Sequence, residues 1–197
     1  MSPEAVRANL ERIRSEVGTD VTIVAATKYV ALEDMGVLAA AGVEVVGENR
    51  VQDLERKHAA HGEAFRWHFI GHLQSNKAKV VNGLCELVHS LASESAAQRL
   101  TVPALIEVNL SGEPSKSGVT PEELPALVAA YPGVRGLMTM PPAAPDPEGS
   151  RPYFRRLREL AAEHGLPELS MGTSQDYRVA VEEGATLIRV GSVLLGP

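Results

Sequence analysis

Eight short apolar runs punctuate the chain, separated by segments whose apolar residues recur at helical spacing. The runs are "VTIVAAT" (21–27), "VEVVGEN" (43–49), "RWHFIG" (66–71), "CELVHS" (85–90), "PALIEVNL" (103–110), "VRGLMTM" (134–140), "PELSMGTS" (167–174) and "TLIRVG" (186–191). Their brevity and their β-branched content predict strands buried on both faces. The segments between them, such as "LEDMGVLAAA", "VQDLERKHAAHG" and "PYFRRLRELAAEHG", read as helices. Ser93 and Thr120 are suited to N-caps, with Pro121 at a first helical position, and Gly42, Gly165 and Gly184 stand where helices should stop. Ahead of the first strand, "MSPEAVRANLERIRSEV" predicts an amphipathic helix capped by Ser2, with Val6, Leu10, Ile13 and Val17 on one face.

Strict strand–helix alternation implies a parallel sheet with crossover helices. Eight such units predict an α/β fold, a (β/α)8 TIM barrel formed by residues 1–197 as a single domain, since an open doubly wound sheet usually has fewer strands in this length. Only "SVLLGP" follows the last strand, too little for an eighth outer helix, so the N-terminal helix is expected to fill that place. The Pro-rich stretch "PPAAPDPEGS" (141–150) reads as a long loop after the sixth strand.

Charge narrows the classes of function. A net charge of -6 with scattered Lys and Arg argues against nucleic acid as a partner. A lone cysteine, Cys85, rules out an internal disulfide framework and is expected to be a small core residue. No apolar run reaches the roughly eighteen residues of a membrane span, and the charged N-terminus lacks a signal-peptide core, so a cytoplasmic location is expected. His68 and His72 have HxxxH spacing but straddle a strand end, so no metal site is expected there.

Chemistry in a barrel gathers where strands end. The first strand ends on Lys28, and alternation places Thr22, Val24, Ala26 and Lys28 on the inner face. At the other end of the chain, Gly172 and Ser174 close the seventh strand and Gly191 and Ser192 the eighth. Glycine-freed amides and hydroxyls of this kind suit a phosphate. The eighth strand closes against the first, which brings this cradle beside Lys28. Arg189 shares the inward parity and needs an acceptor, either Glu107 or a ligand. Amine, oxyanion cradle and arginine at one mouth suggest an aldehyde-bearing phosphate.

The segments "ATKYV", "VGENRVQDLERK", "WHFIGHLQSNKAK", "VNLSGEPSKSGV", "RGLMTMPP" and "LSMGTSQD...GATLIRVGSVLLG" resemble, in order, the pyridoxal phosphate homeostasis protein family, which is related to the alanine racemase N-terminal domain. The resemblance implies pyridoxal 5'-phosphate (PLP) as cofactor, held as a Schiff base on Lys28. It implies Asn49 at the ring edge, Ser174 with Gly172, Gly191 and Ser192 at the phosphate, and Arg189 facing the pyridine nitrogen. It also implies a non-catalytic Lys116 in a mobile loop. Tyr29, Val30 and Thr173 depart from the commoner family residues without removing a ligand.

A dedicated PLP enzyme needs a base placed to move a substrate proton. The related racemases recruit a tyrosine from an added domain, for which no residues remain here. The expectation is therefore a carrier in PLP homeostasis, a monomer whose partners are PLP and apo PLP-dependent enzymes. A weak racemase, a Schiff-base aldolase and a cofactor-free interaction module stay as alternatives. A Schiff base forms from a neutral amine, which partial burial of Lys28 beside Arg189 would favour.

Overall fold

A computed structural model of the chain describes residues 1–113 and 116–196, leaving Pro114 and Ser115 of the "SGEPSKSG" segment, and Pro197, outside the described residues. The elements run α1 (Pro3–Val17), β1 (Thr22–Ala26), α2 (Met35–Ala41), β2 (Val45–Glu48), α3 (Val51–His61), β3 (Arg66–Phe69), α4 (Ala78–Leu84), β4 (Leu87–Leu91) and α5 (Glu94–Ala97). They continue β5 (Ala104–Glu107), α6 (Leu124–Ala130), β6 (Val134–Met138), α7 (Arg151–Glu163), β7 (Glu168–Ser170), α8 (Tyr177–Glu182), β8 (Leu187–Val190) and α9 (Ser192–Leu195). The strands form a closed barrel in sequence order, parallel throughout, and β1 pairs β8 from Thr22↔Leu187 to Ala25↔Val190.

Two apolar layers follow from the period-two alternation. Val24, Val45, Leu87, Leu105, Met138 and Leu187 fill the barrel, while Ile23, Ala25, Trp67, Phe69, Ile106 and Ile188 face the helices. The caps expected from the sequence are present. Ser2 accepts the Ala5 amide proton and Ser93 that of Ala96. Thr120 and Glu123 satisfy each other's amides reciprocally, and this capping box turns the chain before α6 begins at Leu124. Gly42, Gly165 and Gly184 all carry the positive φ of helix ends.

Every strand is shorter than its apolar run. β7 stops at Ser170 rather than Ser174, and β1 stops at Ala26. Near the mouth the chain leaves the sheet and becomes loop, and those loop residues line the site. Cys85 lies before β4, where it closes α4, and burial pushes its thiol up to about 12. After β8 there is a single helical turn, α9, and α1 packs against α2, α8 and α9 to complete the outer ring. Asn9 donates to the carbonyls of Leu194 and Gly196, and Arg12 to that of Val193. The 141–150 segment is a loop after β6 that ends in a 3₁₀ turn, Pro147–Ser150. No helix is long and apolar enough to cross a membrane, among the described residues.

Candidate functional site

The C-terminal ends of the strands enclose a cavity of about 280 Å³. Lys28, Asn49, Glu107, Thr173 and Arg189 line it, together with His72 from the loop after β3. Ala26 is also part of the wall, and Gly191 lies beside it across the β1–β8 seam. The amine, the arginine and the edge of the cradle thus meet at one mouth. The parity argument places them there, since Val24 points into the barrel two residues below Ala26 and Leu187 two residues below Arg189.

Lys28 is exposed, not partly buried. The chain leaves β1 after Ala26, and Lys28 and Tyr29 occupy a turn closed by the Val30 amide on the Thr27 carbonyl. That turn lifts the ammonium to the rim, 4.7 Å from the centre of the 90% exposed Tyr29 ring. Asn49 follows β2, and its Oδ1 is buried with no hydrogen-bond partner among the described residues. Gly71 makes this possible, because a Cβ there would stand 1.9 Å from the Asn49 carbonyl oxygen.

Ser174 joins the last two loops. Its hydroxyl oxygen accepts the amide protons of Gly191 (3.0 Å) and Val193 (3.3 Å). Both lone pairs are then engaged and the hydroxyl proton is free to be donated to an oxyanion. Ser174 therefore caps α9, not the helix that follows it in sequence. Asp176 organises its own turn instead, accepting from the amide and hydroxyl of Thr173 and from Ser150. Gly172 is buried under this turn with φ +92, and a Cβ there would lie 2.6 Å from that of Ala180. Its glycine serves the packing of α8.

Arg189 does not pair with Glu107. Its guanidinium donates to the Ser170 hydroxyl and, at 3.1 Å, to the Thr139 carbonyl, with the Met140 sulfur at 2.9 Å. Glu107 stays beyond ion-pair distance, and burial raises its pKa against the opposing charges of Arg189 and His72. Burial also pulls Arg189 down to about 10, with Glu107 and Asp176 acting the other way.

Behind Arg189 runs a buried polar chain across the barrel that periodicity did not mark. Ser170 meets His89 Nδ1 at 2.8 Å, and His89 Nε2 meets His68 Nδ1 at 3.0 Å. Arginine only donates, so the arrangement that uses every proton runs one way. Ser170 accepts from Arg189 and donates to His89, which donates to His68. Both imidazoles are then neutral. Burial and the charge of Arg66 lower His68 to about 4, and burial, His68 and Arg189 hold His89 well below the usual range. His68 is thus a hydrogen-bonded residue of the barrel interior, and no cluster of three or more His, Cys, Asp or Glu suited to a metal occurs among the described residues.

Lys116 lies outside this wall, although its neighbour Ser117 is part of it. Its backbone carbonyl and that of Glu113 both accept from Asn109 Nδ2.

The pattern of the alanine racemase N-terminal domain matches residues 1–197. The pyridoxal phosphate homeostasis protein of Aquifex aeolicus is 46% identical over 79% of this chain and 77% of its own. That of Deinococcus radiodurans is 39% identical over 98% of this chain and 99% of its own. The chain belongs to the pyridoxal phosphate homeostasis protein family. Within the family, PipY of Synechococcus elongatus, solved with PLP bound, superposes with a TM-score of 0.87 at 33% identity, covering 97% of this chain and all of PipY. Alanine racemase from Corynebacterium glutamicum shares the fold alone, with a TM-score of 0.77 at 16% identity over 62% of its length.

Proposed function

We propose that the chain binds PLP in this mouth and serves intracellular PLP homeostasis as a monomeric carrier, with Lys28 as a reversible covalent attachment point. The single observation that carries the reading is the convergence of Lys28, Asn49 and Arg189 on one cavity whose wall adjoins Gly191. The residues fit the cofactor's chemistry. Among the lining residues Lys28 carries the one amine, and the orphaned Asn49 Oδ1 awaits a donor. Arg189 presents a cation on the pyridine side, and Ser174 and Ser192 supply hydroxyls to the phosphate side. When bound, PLP supplies an aldehyde that captures amines and a ring that withdraws electrons. Lys28 would hold that aldehyde through its side-chain nitrogen, with the loss of one water. The exposure of Lys28 suits a carrier, because the attachment would stay open to amines arriving from solvent.

The carrier reading is preferred to a dedicated racemase. Tyr131 donates its hydroxyl proton to the Val102 carbonyl and Tyr177 to Glu16, and Tyr153 lies on α7, which leaves Tyr29 at the open rim. PipY and the homeostasis proteins named above bear on PLP itself, which supports this choice.

Purified protein mixed with PLP should show a visible absorbance band that borohydride abolishes, with the reduced adduct mapped to the Lys28 peptide. A band that persists in Lys28→Ala sinks the assignment. Holoprotein incubated with L-amino acids in deuterated water should take up no α-deuterium at enzymic rates, and rapid uptake would establish the racemase instead.

A further inference from the structure

A buried ion pair lies directly beneath the turn that carries Lys28. Lys57, on α3, is 1% exposed and its ammonium stands 2.5 Å from Glu48 Oε1, itself fully buried at the end of β2. The same ammonium donates to the Thr27 carbonyl at 2.7 Å, and the Thr27 hydroxyl donates to Glu48 Oε1 at 2.6 Å. The Thr27 carbonyl also accepts the Val30 amide at 2.9 Å, so it is the first residue of the β-turn whose central residues are Lys28 and Tyr29. One ammonium therefore grips both the end of β2 and the base of this turn.

Stability does not account for such a pair. Two charges removed from water lose hydration that their attraction barely restores, and apolar replacements of similar volume often fold as well or better. Glu48 Oε2 is even left without a hydrogen-bond partner among the described residues. What an ion pair offers over an apolar contact is direction. Thr27 and Glu48 point outward to α3, and the residues that follow them, Lys28 and Asn49, line the mouth. Lys28 and Asn49 are the next residues along the chain, so holding Thr27 and Glu48 fixes where the backbone that carries each of them starts.

We infer that Lys57 and Glu48 are positioning residues for the cofactor amine, setting Lys28 and Asn49 in register with one another. The part concerning PLP rests on the carrier reading above; the part concerning the turn stands without it. The test uses the full chain carrying Glu48→Leu with Lys57→Met. Hydrogen exchange of the Val30 amide in the protein without PLP should accelerate by about tenfold, the scale of one lost bond to a charged donor, while amides inside β1 stay protected. PLP affinity by absorbance titration should fall by a similar factor of about ten. The pH at which the borohydride-sensitive band is half formed should also move.

Unchanged Val30 exchange with unchanged affinity in a folded variant overturns the inference. A merely structural role would lower the melting temperature and speed all amides together, which overturns it equally. If the apolar pair does not fold, Glu48→Gln with Lys57→Met keeps a polar group over Thr27 and is judged by the same two readouts. Failure of the unsubstituted protein to take up PLP would defeat the carrier reading and leave the Val30 exchange to decide this one.

Discussion

Arg189 reaches the rest of the barrel interior through Ser170, whose hydroxyl receives the guanidinium at the centre of the molecule. The contact makes Ser170 the hinge between a cation at the mouth and two neutral imidazoles behind it. Removing the hydroxyl leaves a buried guanidinium N–H and a buried imidazole nitrogen short of partners, a loss of about 1–3 kcal/mol for each group left bare. Ser170→Ala should therefore lower the unfolding free energy and weaken PLP retention together. Arg189→Leu should weaken retention and alter the absorbance of the bound cofactor. Identical spectra and affinity in Arg189→Leu would mean that the guanidinium does not face the ligand.

Stability should fall as the solution is acidified through the range of His68. The folded protein holds this imidazole at about 4, below the ordinary 6.5, so the unfolded chain binds the extra proton first. The contribution is fully present above about pH 6.5 and is lost as pH falls toward about 4. At 1.36 kcal/mol per unit the loss is on the order of 3 kcal/mol. Urea unfolding at pH 7 and pH 4.5 measures it, and His68→Gln should flatten that part of the profile.

Glu107 should act with the opposite sign. Burial raises its folded pKa, so the folded state holds the proton more tightly and stability from this group is lost as pH rises through that value. Glu107 is buried in the wall and has no ion pair among the described residues. Glu107→Gln should stabilise the protein at pH 7, with the gain vanishing near pH 4. A variant less stable at both values would show that the charge has a partner in solution.

Gly172→Ala tests the turn beneath the phosphate cradle. Left-handed backbone and a Cβ placed 2.6 Å from Ala180 act together, so a loss of about 1–3 kcal/mol is expected by thermal or urea unfolding. Gly112→Ala, at φ +70 but with nothing within 4 Å among the described residues, should cost less and gives the backbone share.

Much of the fold was legible because it rests on local signals. Eight apolar runs, glycines at helix ends and the caps at Ser2, Ser93 and Thr120 mark elements without reference to distant residues. Counting by twos accounts for the inward aim of Arg189, whereas Lys28 lies in a turn beyond β1, where strand alternation no longer sets its direction. Strand ends were overextended, since residues such as Ser174 keep strand-like composition after the chain has turned into the mouth. The partners of buried polar groups were not legible. His89 lies in the apolar run "CELVHS" and meets Ser170, which is far from it in sequence. Nothing in "DLERKHAA" marks Lys57 as buried, and only the crossing of α3 over the ends of β1 and β2 brings it to Glu48. Parity offers Arg189 either Glu107 or a ligand as acceptor, whereas the Ser170 hydroxyl and the Thr139 carbonyl receive it.

The seam between β1 and β8 has a consequence for biosynthesis. Lys28 is made well before Gly191 and Ser192, while the clasp of Asn9 and Arg12 on α9 holds α1 against the segment that follows β8. In a growing chain the mouth proposed for PLP therefore cannot close before β8 has been made and has paired with β1.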